Sequence, residues 1–144
     1  MRKFHFLIFF LIINISSYAY ADIVVVVNVN FNAEQISQKK LRKLWLGKSK
    51  KLENVGRIII VDQNANNTIT RQFYKTIIKK ERKQIKAYWA KLEFIGKGYP
   101  PKTLINDKAV IEWIQNNKNG IGYINSNSIT DKIKVVMTIP GEQK

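Results

Sequence analysis

The sequence predicts an α/β fold, with a mixed, mostly parallel sheet flanked by helices. Two patterns carry that prediction. Continuous β-branched runs, above all Ile23 to Val27, read as strands buried on both faces. They alternate along the chain with segments whose apolar residues recur at helical spacing, the order that builds helix layers around a sheet. No Gly/Ser or Pro-rich linker divides the chain and no repeat has a solenoid period, so a single domain is expected.

Residues 1–21 stand apart from that domain. Arg2 and Lys3 precede an apolar run from Phe4 to Ile15, and the segment closes on Ala19-Tyr20-Ala21, the three-part pattern of a cleaved secretory signal. About 12 apolar residues fall short of the roughly 20 that span a bilayer. Cleavage after Ala21 leaves a domain of residues 22–144 and removes His5, the only histidine. There is no cysteine, hence no disulfide framework and no lipid anchor at the cleavage site. An exported chain without an anchor is retained by an outer membrane, so the expected compartment is the periplasm.

The elements follow in order. After strand Ile23 to Val27, Asn28 to Asn32 punctuates the chain. Ser37 can cap a helix in which Leu41, Leu44 and Trp45 share a face, and Gly47 stands where a left-handed terminating residue is wanted. A polar basic loop reaches Gly56, and a second buried strand runs from Arg57 to Val61. The turn-forming stretch Asp62 to Asn67 then leads into a helix from Thr68 to Ile78, with Ile69, Phe73 and Ile77 on one face. Another helix spans about Gln84 to Phe94 with Ile85, Tyr88, Trp89 and Leu92 apolar. Gly96 to Pro101 reads as an irregular loop. Asn106 caps a helix from Asp107 to Asn116, and strands are expected at Gly120 to Ile124 and Ile133 to Met137.

Composition excludes much chemistry. Without imidazole or thiol, the ten carboxylates have no His partner, no metal-ligand spacing and no adjacent acid–base pair, so no enzyme, cofactor or metal is expected. Loss of Arg2 and Lys3 lowers the net charge only from +15 to +13. Outside the cytoplasm that field favours anionic solutes, lipid head groups or acidic protein faces. The 14 asparagines and many lysines are equally consistent with compositional drift. Nucleic acid is not an expected partner, because Trp45, Phe73, Tyr88 and Trp89 fall at core spacing rather than on an exposed stacking face.

In open α/β sheets, ligands rest beyond the carboxyl ends of strands, where helix N-termini present unpaired amides. Asn28 to Asn32 and Asp62 to Thr70 fit that description. Candidate ligand-binding side chains are Asn28, Asn30, Gln63, Asn64, Asn66, Asn67, Thr68, Thr70 and Arg71. The same residue types also cap helices and close turns with no ligand present.

These residues carry a family resemblance. Asn28, Ser37, Leu41 with Leu44-Trp45-Leu46-Gly47-Lys48, Gly56, Val61-Asp62-Gln63, Phe73-Tyr74, Tyr88-Trp89, Gly96-Lys97-Gly98-Tyr99-Pro100-Pro101 and Gly120-Ile121-Gly122-Tyr123 together resemble phosphate-binding proteins of ABC transporters. Those belong to the type II periplasmic substrate-binding proteins, and the resemblance covers about Asp22 to Met137. It implies a single lobe of a fold that closes two lobes over phosphate, and recognition of a small phosphate-like anion. It also implies an ABC transporter permease or another envelope protein as partner, or a homodimer supplying the second wall. In full-length relatives the loop begins with an arginine and reaches Ser-Gly-Thr at a helix start. The arginine position falls here on Gln63 and the tripeptide on Asn67-Thr68-Ile69, so a charge-assisted contact gives way to a neutral one. A non-catalytic protein-interaction module with a degenerate ligand site is the alternative expectation.

Overall fold

The computed structural model describes residues 21–142. The predicted signal lies outside the described residues except for its last residue. Seven strands and four helices follow in the order β1 (Ile23–Asn28), α1 (Gln38–Trp45), β2 (Lys51–Leu52), β3 (Gly56–Arg57), β4 (Ile59–Gln63), α2 (Thr68–Phe73), α3 (Arg82–Phe94), β5 (Lys102–Leu104), α4 (Asp107–Asn116), β6 (Gly120–Asn125) and β7 (Ile133–Ile139). A π-helical turn, Tyr74–Ile78, extends α2. No helix among the described residues is long and apolar enough to cross a membrane.

The main sheet has the order β5-β4-β6-β1-β7. Strands β5, β4 and β6 pair in parallel, while β1 runs antiparallel to both β6 and β7. Four of the five strands therefore point the same way and β1 alone is reversed. All six β1 residues are buried, as its unbroken apolar run requires of a strand covered on both faces. Ile23, Val25 and Val27 pack with Leu41, Trp45, Phe73 and Ile77 from α1 and α2, whereas Val24 and Val26 pack with Val110 and Ile114 of α4. Gly122 lets α4 lie close to the sheet, since a Cβ there would stand 2.7 Å from Val110 Cγ1.

Differences from expectation are local and bear on the site. Lys51–Leu52 and Gly56–Arg57 form a small hairpin where a loop was expected, turned by Asn54 and Gly56 at positive φ. Strand β4 lies two residues further along than its hydrophobic run predicts, which draws Asp62 and Gln63 into the sheet and buries both. Lys102–Leu104 adds a short edge strand directly after Pro100-Pro101, where an irregular loop ends and an edge tolerates the missing donors. The π-helical turn closes on Lys79 in the left-handed region and puts both Ile77 and Ile78 into the core.

Candidate functional site

Because β1 is reversed, the two polar segments picked out as one ligand shelf lie at opposite ends of the sheet. Asn28 ends β1 beside the start of β7, and β1 passes the start of β6 at Val27, while Gln63 sits at the far end of β4. Asn28 Nδ2 donates to the carbonyls of Ile114 (3.1 Å) and Gln115 (3.2 Å), finishing α4, and its Oδ1 accepts from Asn30 N. Asn32 donates to Asn54 O. The placement of Asn28 and Asn30 with the β4–α2 loop is therefore corrected: they close turns and a helix end, and a single reversed strand is the reason.

The remaining candidates do assemble around β4 and α2. Asn64 donates its amide to Leu104 O (3.0 Å), and its Oδ1 accepts from Asn66 N, a side-chain-closed turn. Arg71 reaches back along its own helix, donating from Nη1 to Asn66 O (2.8 Å) and from Nη2 to Thr68 Oγ1 (3.2 Å). Arg82, at the start of α3, donates to Asn66 Oδ1 (3.1 Å). Two guanidinium groups thus converge on one exposed loop. Arg71 is exposed, yet it is tied to the loop rather than free in solvent.

Gln63 behaves differently from its expected role. Its Nε2 donates to Asp107 Oδ1 (2.7 Å) and to Tyr123 O (2.8 Å), and its Oε1 accepts from Asn67 Nδ2 (3.1 Å). Asp107 Oδ2 in turn accepts from the Asn125 backbone, the Asn125 side chain and Ser128 Oγ. This network locks the ends of β4 and β6 to the first turn of α4, and a carboxylate of the chain itself occupies the Gln63 amide. Gln63 is thereby a lock within the protein rather than an open contact, because a primary amide has two N–H donors and both are committed.

Asn67 stands at the N-cap of α2 but makes no cap bond, since its side chain turns away to Gln63 and to Ile105 O (3.2 Å). The first amides of a helix have no intrahelical acceptor, so those of Thr68, Ile69 and Thr70 are left for an outside one. Thr70 is buried; its Oγ1 lies beside the Tyr123 hydroxyl but forms no well-made hydrogen bond.

Below the loop, Asp62 is a buried carboxylate with no ion-pair partner among the described residues. Its Oδ1 accepts from Tyr123 OH and from Gln63 N (2.9 Å), and its Oδ2 accepts from Tyr74 OH. Burial pushes the Asp62 carboxyl up from its ordinary value, and the bonds from Tyr123, Tyr74 and the Gln63 amide pull it part of the way back. Burial and the adjacent carboxylate push both tyrosines well up. Phe73 stacks on Tyr123 at 4.0 Å between ring centroids, with Trp45 against both, so the cluster is held rigidly.

Sequence reasoning did not select Asp62, Asp107 or Arg82 as site residues. Asp62 carried a signal, a carboxylate ending an apolar strand. Asp107 carried none, because an acid in a first helical turn usually only complements the helix dipole.

With this geometry in place, the chain has the fold of one lobe of a type II periplasmic binding protein. It superposes on an ABC-type phosphate transport receptor from Vibrio cholerae with a TM-score of 0.65 at 14% identity, covering 84% of this chain and 47% of that one. A protein from Clostridium perfringens whose structure holds bound phosphate gives 0.65 at 17% identity, over 83% of this chain and 46% of that one. PstS from Borrelia burgdorferi gives 0.62 at 15% identity, over 84% and 48%. The chain thus spans about half the length of these structures. No family model matches the sequence, and no curated protein does.

Proposed function

We propose that this protein recognises a small anion of the phosphate class, without catalysis, as one wall of a two-walled site that acts in the periplasm for or alongside an ABC transporter. The observation that carries the reading is the start of α2, where the N-cap side chain has turned away from the amides of Thr68 to Thr70 while Arg71 bridges the loop beside them. An oxyanion resting there meets unpaired amides, the positive end of a helix and a guanidinium. The fold it shares with phosphate receptors adds support at the level of architecture. A single shelf leaves the anion half hydrated, so affinity is weak until a second copy, or a transporter or envelope partner, supplies the other wall.

Thermal unfolding in phosphate tests this. Phosphate at ten times its Kd stabilises by about 1.4 kcal/mol, which raises the Tm by several degrees. Arg71→Ala and Thr68→Ala each remove that rise, while their Tm without phosphate stays near that of the parent. No rise at tens of millimolar phosphate or sulfate, with chloride matched for ionic strength, contradicts the proposal.

One observation favours a second reading. The Gln63 amide is locked on Asp107, as it would be in a lobe that has lost its ligand and serves as a protein-interaction module. In that case no anion shifts the Tm, and the basic faces bind an acidic envelope protein.

A further inference from the structure

A groove that begins at the predicted shelf, whose Gln63, Asn64, Thr70 and Arg71 line one end of it, runs on between α2 and α3. It encloses about 1300 Å³, above the roughly 300–1,000 Å³ of ordinary small-molecule sites and far more than one phosphate fills. Along it α3 touches the body through Ile85, through Tyr88, whose hydroxyl donates to Leu46 O, and through Trp89, which packs on Gly47. Ile85, Trp89, Ala90, Pro100 and Pro101 supply its apolar lining. Arg71, Lys75, Lys79, Lys80, Lys83 and Lys86 line it as well, joined by Arg82. Against them stand Glu81, which is committed to the capping box of α3, and Glu93, with Asp62 buried in the floor. Among the described residues Lys75 alone of these cations forms an ion pair, with Glu142 at 2.6 Å.

Two buried polar atoms of residues lining the groove lack a hydrogen-bond partner among the described residues, Trp89 Nε1 and Thr70 Oγ1. Trp89 is only 6% exposed and Thr70 5%, so both atoms are closed off from the space inside the groove. Beside the groove, Phe94 is 91% exposed one helical turn beyond Ala90, and Tyr99, next to Pro100, is 76% exposed. An apolar channel rimmed by cations, with bare aromatic rings beside it, is complementary to an anionic amphiphile.

We propose that this groove docks the protein on a membrane by taking up the phosphate head group and first carbons of an anionic phospholipid, with Phe94 and Tyr99 entering the interface. The cations draw the surface in, and the rings hold what charge alone would release in salt. The site shares Gln63, Asn64, Ala65, Thr70 and Arg71 with the α2 loop and goes beyond it along α3.

Vesicle co-sedimentation tests the proposal. The purified protein binds phosphatidylglycerol vesicles and not pure phosphatidylcholine vesicles. The triple variant Lys80→Gln, Lys83→Gln, Lys86→Gln lowers binding roughly 100-fold, from about fivefold per basic side chain. The matched triple Lys39→Gln, Lys43→Gln, Lys48→Gln, on the α1 side, stays within about threefold of the parent. Phe94→Ala leaves the Tm unchanged but makes the remaining binding vanish at 0.5 M salt, where the parent retains a part. Equal loss in the two triples reveals diffuse charge and overturns the site. Tight binding of soluble tripolyphosphate with no binding to vesicles overturns the lipid as occupant. Orthophosphate protection measured on the Lys80/Lys83/Lys86 triple separates the two sites: it persists if the α2 loop binds anions, whatever the vesicles show.

Discussion

Asp62 places a carboxylate among aromatic rings with only hydroxyl and amide donors to hold it. Its carboxyl is raised from an ordinary 3.8, so in the pH range between the unfolded and folded values the native state holds the extra proton. The stability this group contributes is fully present below the unfolded value and is lost as pH rises through the folded one. Urea denaturation of the parent and of Asp62→Asn from pH 3 to 7 checks the sign: the parent's stability relative to the variant falls as pH rises. A difference that grows with pH would mean the carboxylate is stabilised in its charged form. Gln63 gives a second prediction at this scale. Asp107→Asn and Gln63→Ala each break the lock between β4, β6 and α4 and cost about 1–3 kcal/mol, with phosphate or without it. What the sequence disclosed of these residues was their polarity at a strand end. It did not disclose their direction, because a two-residue shift of β4 converts a loop side chain into a buried one. Nor did it show that Asp107, 44 positions away from Gln63, would meet its amide.

Helical elements were legible wherever apolar spacing, a cap and a breaker agreed. Helix α1 shows all three: Ser37 accepts from Lys40 N, Leu41, Leu44 and Trp45 are buried, and Gly47 follows at φ 67°. Helix α4 is likewise capped by Asn106, which accepts from Ala109 N. Strands too short for any period escaped, as with β2, β3 and β5, each of two or three residues. The direction of β1 also escaped, since an apolar run has no polarity, and that reversal alone separates Asn28 and Asn30 from the site. Two substitutions test how the elements are held. Gly122→Ala forces a methyl against Val110 and Val61 and costs about 1–3 kcal/mol in urea denaturation. Tyr88→Phe removes the bond to Leu46 O, costs about 0.5–1.5 kcal/mol and speeds hydrogen exchange in α3 ahead of β1 and β6.

At the scale of the molecule, a strongly basic lobe spans about half of the phosphate receptors whose fold it shares. Two consequences follow from that shape. The face bearing the α2 loop has no opposing lobe within the described residues, and the cations collect between α2 and α3 rather than on the loop alone. A reading based only on the loop would miss the groove, because lysines on amphipathic helices look like an ordinary solvated face in sequence. The packing of α3 through Ile85, Tyr88 and Trp89 brings them round a common space. The account rests most on anion capture at the start of α2. Isothermal titration of phosphate into the purified protein, beside Arg71→Ala, tests it most directly. Saturable heat in the parent that disappears in the variant is the predicted result, whereas no heat in either, or equal heat in both, would contradict it.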